Sequence, residues 1–532
     1  MGKETDVVVG IDFGTTYSTT LKVPSVISYE KGITKWGYQV EPLREAIRGS
    51  KLLLDESQAP EYAPSLASKS LLGKYGKTAV HASGEFIGHL VLHVKDTLQR
   101  RFGDVAKSMR LKYVVTVPAV WSDKAKDATL QAAIIAGIET KQIYLVSEPE
   151  AAALHSLQTI QPNSVAKNDV LVVCDAGGGT VDLISYKVRD VDPLNLEEVT
   201  EGTGAVCGSL LLDERYERHL MKKIGQSEYQ GLPAKSKEAA LSFWRDMVKP
   251  NFGEESDCDY LDVDHFIPLP GVADQPDKNI EGGFVQLEGV EIKEIFEPIV
   301  SRVGELVRTQ IESIAHLGLN SKAIVLVGGF GSSGYLFQCL KDSNPSISIL
   351  QPPNAWAAVV SGAVFRGLEG NRVEARFSRS WYGVISDVRF EKHRDARHPK
   401  HWSQLEEEWF VHDHMTWYIK KSAKISERKP IKFNFYRAIR VDSASQLRFT
   451  DELFFCNDKT APEFRSDRVL RLCTLESDLS KVPRQLFQKK RNSKGIEYFE
   501  ISYNLTLTPT SALLLFDLEF NGVSYGSVSC RF

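Results

Sequence analysis

The chain lacks paired cysteines, long apolar runs and any large excess of one charge, and each absence removes a class of function. Its seven cysteines, Cys174, Cys207, Cys258, Cys339, Cys456, Cys473 and Cys530, are scattered, odd in number and contain no Cys-x-x-Cys pair. That argues against a disulfide framework and against a zinc module, and predicts a reducing compartment. No stretch of about 18 apolar residues occurs, so no membrane span is expected. The formal net charge of −4 over 532 residues is too mild to imply nucleic acid or an acidic membrane as an obligate partner. The opening decapeptide MGKETDVVVG has no apolar h-region and predicts no secretory signal. Asp6 stands where a myristoylation pattern needs Ser or Thr. The expectation is a cytoplasmic protein with no nucleic-acid and no membrane partner, in which the sequon Asn504-Leu505-Thr506 has no role.

What is present is the balance of an ordinary globular protein, 42% hydrophobic and 25% charged, in a chain long enough for two to four domains. Apolar strand-like runs at 6–11 (DVVVGI), 113–117 (YVVTV), 143–146, 170–174 (VLVVC) and 323–327 (AIVLV) alternate with helical stretches at 123–137, 208–248 and 291–316. A return strand is expected at Tyr17–Val23 and another at Val181–Val188, with 250–290 rich in loops. This alternation predicts α/β layers. From about Arg376 the pattern changes to period two, as in IKFNFYR, YFEISYNLTL and LLLFDLEF, and Asn521-Gly522 is a strong hairpin signal. The expected division is 1–372, α/β, and 373–532, β-rich.

The chemistry gathers at two turns. Asp12-Phe13-Gly14-Thr15-Thr16 and Asp175-Ala176-Gly177-Gly178-Gly179-Thr180 each follow an apolar strand and each begin with Asp. Gly and Thr at such a turn point amides and hydroxyls at an anion. The leading carboxylates are useful beside an anion only with a cation between, and magnesium held through water suits that role. Either turn alone would also serve as a plain glycine-rich turn; the two together make a triphosphate clamp. Two other motifs are rejected. Gly73-Lys74-Tyr75-Gly76-Lys77-Thr78 ends like a P-loop but has Leu71 where the first glycine belongs. Gly329-Phe330-Gly331-Ser332-Ser333-Gly334 matches a dinucleotide fingerprint, but Ile349–Pro353 stand where its acidic ribose ligand should be.

The ordered set DVVVGIDFGTTYS, YVVTVPAVWSDKAKDAT, LVSEPEAAAL, VLVVCDAGGGTVDL, AIVLVGGFGSSGYL and WAAVVSGAVFRG resembles the seventy-kilodalton heat-shock chaperones, and among them the divergent, short, heat-shock-protein-like branch. The resemblance covers residues 6–370. It implies the two-lobed actin-like ATPase fold, ribonuclease-H-like, with a five-stranded core in each lobe and ATP or ADP with Mg2+ between them. By position it implies that Asp12, Asp175 and Asp182 hold the magnesium water shell, and that Gly14, Thr15, Thr16 and Tyr17 meet the phosphates. Gly177, Gly178 and Gly179 would wrap the β-phosphate, Gly208 would lie near the second phosphate edge, where the family's glycine pair reads Gly208-Ser209, and Gly328 and Gly329 would flank sugar and adenine. Lys51, Glu148, Asp175 and Thr180 would be the catalytic set, Lys51 as the catalytic lysine and Glu148 positioning the attacking water. The implied reaction is phosphoryl transfer to water, which needs positioning and charge neutralisation.

Departures from the family bound what carries over. Its Glu-x-x-Lys-Arg adenosine helix reads Phe243-Trp244-Arg245-Asp246-Met247-Val248-Lys249-Pro250, and its adenine-packing arginine is Ser332. The acidic-leucine linker is replaced by Arg376-Phe377-Ser378-Arg379-Ser380-Trp381, and neither a helical lid nor an acidic tail follows. Three functions stay open: a chaperone-like ATPase that couples the cleft to the β-rich region, a non-hydrolysing nucleotide-gated scaffold or sensor, and a small-molecule kinase. The first implies unfolded or extended polypeptides taken by strand addition, and co-chaperones, as partners. His393, His398, His401, His412 and His414 fit no zinc spacing and read as a solvated basic loop. Lys489-Lys490-Arg491 reads as a hairpin tip, and Trp402, Trp409, Trp417 and Tyr418 as core or interface aromatics.

Overall fold

Strands rich in Val and Ile that are buried on both faces need helices on either side of a parallel sheet, and that is how the N-terminal part folds. The computed structural model of the protein describes residues 6–18, 22–30, 32–56, 63–160, 165–253, 260–443 and 447–532. Cys258, the first five residues and positions 19–21 of the expected return strand lie outside them. The chain divides into two compact units, Met1–Val373 and Glu374–Phe532.

The first unit contains two main sheets. One is three-stranded and parallel, in the order Asp6–Ile11, Arg110–Val117, Ile143–Ser147. The other is six-stranded, its path running Leu194–Glu198, Val181–Val191, Val170–Ala176, Ser321–Val327, Ser348–Leu350, with Thr203–Ala205 beside Val181–Val191. The first has fewer than the expected five strands among the described residues, whereas the second has five along its path and a sixth beside it. Among the described residues after the first glycine turn, Tyr17–Ser18 pairs with Val23–Pro24, and Pro24 has no N–H to donate. Val26–Glu30 then joins a separate small sheet with Ile33–Trp36 and Ile47–Arg48.

Two helices, Glu148–Ile160 and Ala358–Glu369, lie between the main sheets. The first packs on Val170–Ala176 and Val181–Val191, the second on Asp6–Ile11 and Arg110–Val117. Their crossing is close: a Cβ at Gly362 would collide with the Ala151 carbonyl, and one at Gly10 would meet the Val360 carbonyl at 2.8 Å. The alanines of EPEAAA, Ala151–Ala153, are small where bulk would push the layers apart. Helix Gly289–His316 starts with a capping box between Glu288 and Glu291, which pairs amides otherwise left unpartnered at a helix start. Its Gln310 is fully buried and donates to the Ser185 and Thr200 hydroxyls at 3.0 and 2.7 Å. The rejected P-loop-like stretch is a helix junction, where Thr78 caps helix Ala79–Phe102 by accepting from the His81 amide.

The second unit contains a ten-stranded antiparallel sheet folded around a main core that includes Phe433, Phe435, Leu475, Leu505 and Phe516, with a smaller cluster of Met415, Phe454 and Val469. Asn521 and Gly522 have φ of 49° and 81° and turn Leu514–Phe520 into Val523–Arg531, as a type I′ hairpin requires. Arg376–Phe377 pairs with Lys424–Ile425 inside this unit, so these linker-position residues form a strand. Lys489-Lys490-Arg491 lies in the strand Gln488–Arg491, with Lys489 and Lys490 paired to Glu497 and Glu500; the tip is the next few residues. The histidine cluster also differs from expectation. His401 lies on strand Lys400–Ser403, and His412 and His414 lie on Glu408–Ile419, because the alternating apolar residues around them make strands of that stretch.

Candidate functional site

The two glycine turns meet. A Cβ on Gly178 would collide with the Thr16 Oγ1, and one on Gly179 would lie 2.7 Å from Thr15 Oγ1; only glycine lets the turns approach this closely. The first turn is held by the Ser25 hydroxyl, which donates to the Gly14 carbonyl at 2.7 Å, and by the Ser25 amide on Thr16 O at 2.9 Å. The second is tied to the N-terminus of helix Leu210–Ile224: the amides of Gly208, Ser209 and Leu210 donate to the carbonyls of Gly179, Gly177 and Gly178. Gly208 is required there, since its Cβ would run into the Gly178 carbonyl. A helix N-terminus abutting the turn adds positive potential beside it.

The acids converge on the same place. Asp175 and Asp182 are cross-strand partners in the register of Val170–Ala176 with Val181–Val191, and both are buried. Asp182 accepts from the Val120 amide at 3.0 Å, and Asp12 accepts from the Thr116 hydroxyl at 3.2 Å. Lys51, in the short 3-10 helix Ser50–Leu54, is only 5% exposed and donates to Glu148 Oε1 at 2.5 Å. It is not a surface lysine. Its ammonium also lies 5.6 Å from the Trp121 ring centroid, a further favourable contact for a buried cation.

Electrostatics follow from this crowding. Burial pushes the Glu148 carboxyl up to about 7, against the pull of Lys51 and with a further push from Asp12 and Asp182. Burial, then the fields of Glu148, Asp182 and Asp12, raise Asp175 well above the usual carboxylate range. Burial raises Asp12 too, opposed by Lys51. Burial works against the Lys51 charge, yet Glu148, Asp12 and Asp175 outweigh it and raise its pKa. Several acids around one lysine leave negative charge uncompensated, which a divalent cation would neutralise.

The remaining expected residues fall nearby. Thr180 is buried and its carbonyl accepts from the Gly177 amide at 2.9 Å. Gly328 has φ of +90°, and a Cβ there would lie 2.5 Å from Asp175 Oδ1, whereas Gly329 faces open space. Tyr17 is exposed at the edge of the first turn; burial, then Asp246, raise its pKa, opposed by Arg245, so residues of the 243–250 stretch face it. That stretch is built differently from the family pattern. Trp244 is fully buried, stacked on Tyr216 at 4.4 Å, and its indole donates to Asp213 at 2.9 Å while Lys249 pairs with Asp213 at 2.6 Å. Ser332 donates to the Gly328 carbonyl at 3.2 Å. Thr116, Trp121 and Asp213 were not singled out from the sequence; only the proximity of VPAVW to an apolar strand end signalled the first two.

The residues fit a phosphate-bearing ligand with a divalent ion. Thr16 Oγ1 is buried without a hydrogen-bond partner, a costly state for a hydroxyl that a phosphate oxygen would relieve. Glycines stand where side chains would fill the cradle, and the donor set is all carboxylate, which suits Mg2+.

Mixed α/β layers with paired glycine turns facing across the unit define the two-lobed, actin-like class. Residues 74–332 match the family model described as Hsp70 protein, and this part of the chain is similar to the Hsp70 family. Residues 373–520 match a second family model, a domain of unknown function (DUF8568). Heat shock 70 kDa protein 12A of Homo sapiens is 22% identical over 376 residues, 56% of this chain and 55% of that protein. Chaperone protein DnaK of Thermotoga maritima is 26% identical over 391 residues, 70% of this chain and 61% of that protein. A heat shock protein homolog of Encephalitozoon cuniculi is 40% identical over 111 residues, 20% of this chain and 16% of that protein. The chain thus aligns with less than two thirds of each relative's length. No described helix is long and apolar enough to cross a membrane.

Proposed function

We propose that this protein is a chaperone-like ATPase that binds ATP or ADP with Mg2+ between the lobes of its first unit, on a ribonuclease-H-like framework spanning residues 1–372. The observation that carries the proposal is the meeting of the two glycine turns beside Asp12, Asp175, Asp182, Glu148 and Lys51. Thr15, Thr16 and the amides of Gly14, Gly178 and Gly179 bind the phosphates, with Gly177 completing the wrap of the turn, Gly208 and Tyr17 at the rim and Gly328 and Gly329 at the nucleoside. Asp12, Asp175 and Asp182 would hold the magnesium, which when bound supplies charge neutralisation at the phosphate oxygens. Glu148 orients a water by accepting its hydrogen bond, and Lys51 holds Glu148 in place and offsets negative charge. Thr180 lies at the terminal phosphate. Such chemistry asks the protein for positioning and electrostatics rather than a covalent step.

Residues 373–532 form the interaction unit in this reading. Strand Ile431–Arg440 pairs with Glu497–Pro509 and stands at one end of the sheet order. An extended polypeptide would add there by main-chain hydrogen bonds, beside a groove of about 380 Å³ lined by Asn434, Tyr436, Asn504 and Asn521. Co-chaperones would act on the first unit. A cytoplasmic setting belongs to this reading.

The engagement of Trp244 and Lys249 by Asp213, with Ser332 in place of a guanidinium, favours a second reading, a nucleotide-gated scaffold that binds without turnover. Phosphate release by the full chain with ATP and Mg2+, beside Asp175→Asn, separates the two. Turnover abolished by the substitution supports the ATPase; binding without turnover supports the scaffold; neither binding nor turnover defeats both.

A further inference from the structure

We propose that Asp387, His401 and His412 in the C-terminal unit form a binding site for a divalent transition ion of the zinc class. The three side chains come from neighbouring strands: Asp387 from Trp381–Arg389, His412 from Glu408–Ile419, His401 from Lys400–Ser403. Their convergence depends on a bulge. Ser386 faces His414 and Val388 faces Val411, so Asp387 is opposed by both His412 and Asp413. Asp413 takes up the extra residue with φ of 62°, a conformation Asp tolerates better than most. On the other side Lys400 faces Val411 and His401 faces Phe410, which puts His401 diagonally beside His412.

One nitrogen from each histidine and one Asp387 oxygen all lie within 4.8 Å of one another. His412 Nδ1 is 2.5 Å from Asp387 Oδ1, while His401 Nε2 is 3.7 Å from Oδ2. The rings stack at 3.7 Å with an interplanar angle of 2°. His412 can satisfy the carboxylate with its N–H, but His401 is left over: Nε2 is too far for a hydrogen bond, and its Nδ1 is buried without a partner. A cation shared among the three groups supplies the missing interaction at His401 Nε2; because an ion lies in the plane of each imidazole it binds, the two rings turn out of their stack to reach ligand distances of about 2.0–2.2 Å.

The donor set identifies the ion. Two imidazoles and a carboxylate suit Zn2+ and its neighbours, whereas Mg2+ and Ca2+ select oxygen. The site is therefore chemically distinct from the all-carboxylate cluster of the first unit. Three protein ligands at a solvent-accessible position leave a fourth place for water or an incoming donor. An ion there fastens the four-residue strand Lys400–Ser403 to the two strands next to it.

The test is Co2+ titration of the full chain in excess Mg2+, read by visible d–d absorption, with Zn2+ displacement. The expected result is one Co2+ per chain with tetrahedral or five-coordinate bands and no thiolate charge-transfer band. Zn2+ displaces it, His412→Gln and Asp387→Asn each weaken it by more than about tenfold, and His393→Gln leaves it unchanged. Both ligands replaced are exposed, and circular dichroism checks that the variants fold. Absence of a bound ion, a thiolate band, or binding unaltered by His412→Gln and Asp387→Asn overturns the proposal.

Discussion

Lys51 and Glu148 are 97 residues apart in sequence and joined by a 2.5 Å ion pair in the interior of the first unit. Lys51 is also within the field of Asp12 and Asp175, and Glu148 within that of Asp12 and Asp182. The pair is thus asymmetric: the lysine has several acids to answer, while the glutamate is one acid among several.

That asymmetry predicts an order of damage. Lys51→Ala leaves Glu148 buried among like charges and costs about 3–5 kcal/mol, the usual loss when one member of a buried pair is removed. Glu148→Gln relieves one like-charge repulsion and keeps Lys51 beside Asp12 and Asp175, so it costs less. Urea denaturation of the first unit's transition checks this; equal losses, or a larger loss in Glu148→Gln, would contradict it.

Glycines of the site separate by what surrounds them. A Cβ at Gly178 or Gly208 meets the opposing turn or the Gly178 carbonyl, and one at Gly331 meets the Val327 carbonyl. Alanine at these positions forces backbone shifts of about 1–3 kcal/mol, and at Gly178 and Gly208 also weakens ATP binding by tenfold or more, roughly the loss of one charged hydrogen bond. Gly329→Ala, in open space, leaves the melting temperature unchanged. A destabilised Gly329→Ala beside a tolerant Gly208→Ala would show the loop packing to be wrong.

Glu291 offers a pH-dependent term. Burial alone would raise its carboxyl, but hydrogen bonds from His219, Lys223 and the Glu288 amide bring it down to about 2. A depressed carboxylate stabilises the fold above its unfolded value, 4.5, and that stability is lost as pH falls through the folded value. The contribution is about 2–3 kcal/mol at neutral pH. Wild-type melting should drop between about pH 6 and about pH 3 by more than that of Glu291→Gln; parallel curves would remove Glu291 from the account.

The sequence made some of this legible and hid the rest for physical reasons. The two glycine turns could be read because Asp followed by Gly and Thr after an apolar strand is unusual and local. The approach of Gly178 to Thr16, and the need for Gly208, depend on how far apart segments pack, and no spacing reports that. Lys51 sits in a 3-10 helix with no periodic signal, so its burial is decided by Glu148 rather than by its neighbours. Among the described residues the first sheet has three strands and Val26–Glu30 pairs in a separate small sheet, a choice of partner that strand propensity does not report. His401 and His412 read as a basic loop because their convergence with Asp387 needs a bulge at Asp413, which strand alternation does not disclose.

Calorimetric titration of the full chain with ATP in the presence of Mg2+, repeated with the metal chelated and with Asp175→Asn, bears most directly on the central claim. The account predicts one ATP per chain, binding that weakens sharply without Mg2+, and a comparable loss in Asp175→Asn. Absence of binding, or binding indifferent to both the metal and Asp175, would contradict a nucleotide site between the two glycine turns.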